Sequence, residues 1–129
     1  MDAMKKLAGY QAANMVKNGM RVGLGTGSTA YFTLERLATR IQDENLKIQA
    51  VSTSFNTTLL CRKWNIPLLD LGATDELDIA IDGADEIDTS LNLIKGRGAA
   101  HTLEKIVAKM AKEFIVVADS SKKVVILGT

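Results

Sequence analysis

Apolar side chains recur at helical spacing between residues 3 and 17, with Met4, Leu7, Ala8, Met15 and Val16 on one side, and Gly19 stands where such a helix would end. The pattern then shortens. Arg21 to Leu24 predicts a strand, a glycine-rich turn follows it, and residues 28 to 42 predict a second helix. Lys47 to Ser52 predicts another strand, Ser54 to Trp64 a third helix, and Ile66 to Leu71 a further strand entered through Pro67, which the start of a strand tolerates. Asp78 to Asp82 and Leu91 to Ile94 read as strands, Ala99 to Lys112 as a helix with Leu103, Ile106, Val107 and Met110 on one side, and Phe114 to Ala118 as strand again. Strands alternating with helices predict an α/β fold with a mostly parallel sheet, helices on both faces, and functional loops gathered at the C-terminal ends of the strands. The chain closes on Val124 to Leu127, apolar on both alternating faces and with no obvious partner, so this run is expected to form an uncovered edge and the chain to be truncated at its C-terminus.

Composition narrows the class. At 129 residues the chain fits one domain, and 47% hydrophobic residues with only 5% aromatics put the weight of the core on Ala, Val, Ile and Leu. A net charge of +1, with lysines and arginines scattered among acids, disfavours a nucleic-acid partner. No run reaches membrane length, and Met1-Asp-Ala-Met-Lys-Lys lacks the features of a secretory signal, so no membrane partner and a cytoplasmic location are expected. Cys61, the sole cysteine, has no disulfide partner or zinc-ligand companion and is expected in the core.

The chemistry concentrates between Leu77 and Glu104. The β-branched Ile79 and Ile81 should carry Asp82 to the end of a strand, where Gly83 lets the backbone turn and bring Asp85 near it. Lys95, with Gly96 and Gly98, offers an ammonium and bare backbone amides suited to an oxyanion or a phosphate, and Glu104 follows on a helix. Carboxylates close to a cation and to backbone donors suit proton transfer on a small polar substrate, because each group sets the pKa of the others. A solvated acidic turn is the plainer alternative.

Gly23-Leu-Gly25-Thr26-Gly27-Ser28-Thr29 lies between a strand and a helix, the place where amides meet phosphate, though a tight turn with Ser28 as helix N-cap serves equally well. The spacing fits neither a dinucleotide fingerprint nor a Walker loop. Ser52-Thr53-Ser54 is expected chiefly to cap a helix, with hydroxyls for a sugar as the alternative. Lys122, after the Phe114 strand, could hold a phosphate or simply be exposed. His101 is read as solvent-exposed, and Trp64 and the methionines as packing residues.

Taken together, Gly25-Thr-Gly-Ser-Thr29, Ser52-Thr-Ser54, Asp82-Gly-Ala-Asp85-Glu86, Leu93-Ile-Lys-Gly96, Glu104-Lys-Ile-Val107 and Ala118-Asp-Ser-Ser-Lys122 resemble type A ribose-5-phosphate isomerase, in the family's order and over nearly the whole chain. The resemblance implies a Rossmann-like domain and, beyond the end of this chain, a smaller α+β domain. It also implies interconversion of ribose 5-phosphate and ribulose 5-phosphate without cofactor or metal, in a homo-oligomer, a dimer. By position, Glu104 resembles the base that moves a proton between carbons 1 and 2 through an enediolate. Asp82 and Asp85 resemble carboxylates that hold sugar hydroxyls and assist ring opening, and Lys95 the cation at the developing oxyanion. Thr26, Gly27, Ser28 and Thr29, together with Lys122, match substrate-binding positions, with the phosphate as their expected target, and Lys5 or Lys6 could add to that site. The turns at Asp82, Gly83, Ala84 and Asp85 and at Lys95, Gly96, Arg97 and Gly98 match substrate-facing backbone. Arg97 stands where the family usually has a glycine, and Leu103 where it has an arginine, so the substrate-facing backbone is expected to differ locally. A sugar-phosphate sensor domain is the rival reading, weakened because no helix-turn-helix segment accompanies the chain. A divalent-cation turn ranks last, since the spacing fails the calcium-loop pattern and Lys95 opposes a cation.

Overall fold

The apolar runs assemble into one five-stranded sheet in the order β2-β1-β3-β4-β5 in the computed structural model, which describes residues 2–25, 27–83, 107, 109–117 and 124–128. Along the chain come α1 (Asp2–Asn14), β1 (Arg21–Leu24), α2 (Gly27–Glu44), β2 (Gln49–Ser52), α3 (Phe55–Lys63), a 3-10 turn (Leu71–Ala73), β3 (Leu77–Gly83), β4 (Ala111–Val117) and β5 (Val124–Gly128). β1 pairs in parallel with β2 and with β3, and β3 in parallel with β4. Chain order therefore reverses between β1 and β3. In an open α/β sheet a crevice forms at such a point, outside the C-terminal ends of the strands.

Two apolar clusters hold the layers. The larger packs Val22, Leu24, Ala50, Ile79, Ile81, Ile115 and Val117 of the sheet against Ala8, Ala12 and Ala13 of α1, Leu34 and Leu37 of α2, and Cys61 of α3. Full burial of each leucine is worth about 1.5–3 kcal/mol. The smaller cluster joins Val51, Leu77, Ala80, Val107 and Ala111. Gly23 makes it possible, because a Cβ there would lie 2.4 Å from Val107 Cγ1. No helix among the described residues is long and apolar enough to cross a membrane.

The first helix stops at Asn14, short of the predicted residue 17, and Gly19, with φ of +84°, lies in the following turn rather than at the helix end. Arg40 of α2 supplies the ending. Its Nη1 donates to the carbonyls of Ala13 and Val16, each at 2.7 Å, while Nε meets Glu44 at 3.0 Å. The Ala13 carbonyl, which also accepts the Val16 N–H at 3.2 Å, and the Val16 carbonyl just beyond the helix are thus tied to α2.

The predicted strand at Ile66 to Leu71 is reduced to a single parallel bridge between Ala50 and Leu68. Pro67 has no N–H to extend a ladder, and the chain turns into the 3-10 segment straight after Asp70. Strand β4 begins at Ala111, inside the predicted helix, because Ala111 pairs with Leu77; Met110 is still helical. Helical periodicity across 110–112 is a local signal that pairing with β3 overrides. Val124 to Leu127 also differs from expectation. It does have a partner, since β5 runs antiparallel to β4 from Val117↔Val124 to Glu113↔Gly128. The predicted strand Leu91 to Ile94 lies outside the described residues, as does the first part of the Ala99 helix.

Cys61 is fully buried, as expected, and burial pushes its thiol up to about 11. Because the folded value exceeds that of the unfolded thiol, the linked stability is complete below about pH 9 and is lost as pH rises towards about 11. Iodoacetamide should consequently label native protein at pH 8 far more slowly than urea-unfolded protein. Equal labelling rates would contradict this burial.

Candidate functional site

β3 is buried along its last five residues, from Ile79 to Gly83, so the strand delivers a carboxylate into the protein rather than to its surface. Asp82 is only 7% exposed. Burial of an ionisable group is expensive without polar partners, and Oδ1 accepts the N–H of Gly83 at 2.9 Å. Period-two alternation puts Asp82 on the same face as Ala80, the face of the smaller cluster. Asp82 therefore lies at the C-terminal end of a central strand, as the sequence predicts, while Gly83, expected to begin the turn, is still in the strand and pairs with Val117.

Against Asp82 lies Gly25, at the end of the neighbouring strand. A Cβ on Gly25 would sit 2.2 Å from Oδ1 and 2.5 Å from Cγ of Asp82, so glycine here makes room for the carboxylate beside the main chain. Gly25 N–H donates to the Ile81 carbonyl at 3.0 Å, carrying the β1–β3 pairing one residue past Leu24. Helix α2 starts at Gly27. The first-turn N–H groups and the positive end of an 18-residue helix thus begin two residues from the Asp82 contact, an arrangement suited to an anion. Ser28 falls inside the first turn and is not the N-cap that the sequence allowed.

The Ser52-Thr53-Ser54 segment is a cap, as expected. Ser54 Oγ accepts the Thr57 N–H at 3.1 Å, and Ser52 Oγ donates to the Ser54 carbonyl at 2.7 Å. These residues also brace the glycine turn. Thr53 donates to the Leu24 carbonyl through N–H (3.2 Å) and Oγ1 (3.0 Å), and Thr57 Oγ1 donates to the Gly25 carbonyl at 2.9 Å. A small hollow opens on this face between Gly25, Thr53, Asp82, Val107 and Phe114.

The structure thus joins the end of β1, the Asp82-Gly83 end of β3 and the helical turn at Val107, which follows Glu104 by three residues in sequence. Gly27, Ser28 and Thr29 have helical backbone at the same end of the sheet. Thr26, Ala84, Asp85, Lys95, Gly96, Arg97, Gly98, Glu104 and Lys122, together with His101, lie outside the described residues. Lys6 is exposed on α1, with Nζ 5.5 Å from the centre of the Tyr10 ring. Sequence reasoning missed two contributors: Gly25 as the wall behind Asp82, and Thr57. The available signal for the second was a hydroxyl one turn before Cys61, on the inward side of α3.

The family ribose 5-phosphate isomerase A (phosphoriboisomerase A) matches residues 49–129. Ribose-5-phosphate isomerase A of Bacillus mycoides strain KBAB4 is 54% identical over the whole of this chain, which covers 58% of that protein. Ribose-5-phosphate isomerase A 1 of Oceanobacillus iheyensis is 50% identical over 98% of this chain and 57% of its own length. Among solved structures, ribose 5-phosphate isomerase from Plasmodium falciparum superposes with a TM-score of 0.79 at 45% identity, covering 95% of this chain and 53% of the other. A D-ribose-5-phosphate isomerase in complex with phospho-erythronic acid gives 0.77 at 43% identity, covering 90% and 51%. The chain spans somewhat over half the length of the curated relatives it matches. On identity, coverage and fold alike, the chain belongs to the ribose 5-phosphate isomerase A family.

Proposed function

We propose that the chain is the catalytic portion of a ribose-5-phosphate isomerase that interconverts D-ribose 5-phosphate and D-ribulose 5-phosphate. The observation that carries this reading is the buried Asp82 carboxylate, packed on Gly25 at the reversal point of the sheet beside the N-terminus of α2. Ring opening exposes the aldehyde, with Asp82 and Asp85 holding sugar hydroxyls and assisting proton movement. Glu104 then takes the proton from carbon 2, the electron pair flows onto the carbonyl oxygen, and the enediolate is met by Lys95 and by backbone donors from Gly96 to Gly98. Return of the proton to carbon 1, as the electron pair on the carbon-2 oxygen forms the new carbonyl and its hydroxyl proton passes to the carbon-1 oxyanion, yields the ketose. The residues 26 to 29 and Lys122 hold the phosphate, which a helix N-terminus favours. Phospho-erythronic acid, the ligand of one solved relative, belongs to the same sugar-phosphate class. The reading includes no cofactor or metal, no nucleic-acid or membrane partner, a homodimer, and a cytoplasmic setting.

The test is conversion of ribose 5-phosphate by the purified protein in deuterium oxide, followed by NMR. Ribulose 5-phosphate should accumulate to equilibrium with deuterium entering at carbon 1, and chelator should leave the rate unchanged. Binding of ribose 5-phosphate with neither conversion nor proton exchange would identify a sensor and overturn the proposal.

A further inference from the structure

We infer that Thr57, in the first turn of α3, is a positioning residue for the Asp82 carboxylate and acts through the main chain of Gly25. The inference rests on the isomerase reading, in which Asp82 touches substrate. Gly25 is gripped on both sides: its N–H donates to the Ile81 carbonyl at 3.0 Å, and its carbonyl accepts Thr57 Oγ1 at 2.9 Å. The direction of that hydroxyl is fixed as well. Thr57 Oγ1 accepts from Ser54 Oγ at 3.0 Å, so its single hydrogen is left for the Gly25 carbonyl. With Thr57 2% exposed, bulk water does not compete for the bond.

The grip matters because of what Gly25 abuts. Its missing Cβ would lie 2.2 Å from Asp82 Oδ1, so the Gly25 main chain forms one wall of the carboxylate's seat, and movement of that peptide moves the wall. Thr53 ties the preceding carbonyl, that of Leu24, in the same manner. Two consecutive carbonyls at the end of β1 are therefore fastened to the start of α3, and a valine at position 57 would keep the shape while removing the hydrogen.

The experiment compares Thr57→Val, Thr57→Ser and Cys61→Ala with the unaltered protein in steady-state isomerisation, with Gly25 N–H exchange followed by NMR. Thr57→Val should lower kcat roughly ten- to a hundredfold, as expected when a reacting group is displaced by a fraction of an ångström to an ångström, with a smaller change in KM. Thr57→Ser should remain within a few-fold of the parent. Cys61→Ala removes buried volume one turn along the same helix, and should lower Tm while keeping kcat. Thr53→Val should give a milder loss than Thr57→Val, and serves in its place if the valine at 57 prevents folding. A parental kcat in Thr57→Val overturns the inference, and so does a loss matched by Cys61→Ala or not rescued by serine. If the unaltered protein binds but does not isomerise ribose 5-phosphate, the functional reading fails separately and Gly25 exchange decides. Faster exchange in Thr57→Val, reversed in Thr57→Ser, upholds the brace, whereas unchanged exchange overturns it.

Discussion

Under the isomerase reading, replacing Gly25 with alanine will remove most of the activity, and it will remove a measurable part of the stability. The backbone does not demand glycine here, as it does at Gly19, where φ is +84° and nothing lies within 4 Å of a Cβ. The neighbour demands it, because the new methyl would sit 2.2 Å from Asp82 Oδ1 and 2.5 Å from Cγ. Neither side gives way easily: Asp82 is 7% exposed with Oδ1 bonded to Gly83 N–H, and the Gly25 peptide is bonded at both ends. Overpacking of this kind costs about 1–3 kcal/mol. A displacement near 1 Å of a group that touches substrate costs roughly a hundredfold in rate. Denaturant titration and kcat/KM would measure the two effects. A double-mutant cycle with Asp82→Ala isolates the cause, since deleting the carboxylate should relieve most of the stability loss without restoring turnover. An undiminished stability loss in the Asp82→Ala background would place the clash elsewhere.

Glu104→Gln should be the most damaging conservative change for turnover. The amide retains the size and most of the hydrogen-bonding capacity of the acid but cannot take a proton from carbon. Losing a positioned general base lowers kcat by about 10²–10⁴-fold, while affinity for ribose 5-phosphate stays within a few-fold because the ground-state contacts survive. Lys95→Ala should instead raise KM and lower kcat together, since a cation facing substrate oxygens acts before and during the reaction. Comparable, small effects from the two substitutions in kinetics and calorimetry would remove both residues from their assigned roles.

The ease of reading this sequence varied with the range of the interactions involved. Asp82 could be placed at a strand end because Ile79 and Ile81 are local, alternating signals, and β1, α2 and β2 emerged within a few residues of their observed bounds for the same reason. The end of α1 falls short of the predicted one because Val16, fully buried, extends the apolar pattern past Asn14, where the helix stops. Ala111 likewise continues the helical pattern locally, while the partner that makes it strand, Leu77, lies 34 positions upstream. Of the site, the separate pieces were readable and their junction was not. Gly25 meets Asp82 across 57 residues of chain, and Thr57 reaches Gly25 across 32. A single sequence carries no trace of such a meeting except the oddity of a glycine and an inward hydroxyl.

The lone bridge at Leu68 bears on how copies of the molecule can meet. Ala50 has its outward N–H on the Pro67 carbonyl and its outward carbonyl on the Leu69 N–H, both at 2.8 Å, so the middle of β2 has no main-chain groups to offer a visiting strand. Pro67 in turn has no N–H of its own. Five residues of irregular chain thus act as a selvedge, finishing the sheet where it would otherwise unravel into its neighbours. Strand addition is obstructed at the middle of that margin, where Ala50 is already paired.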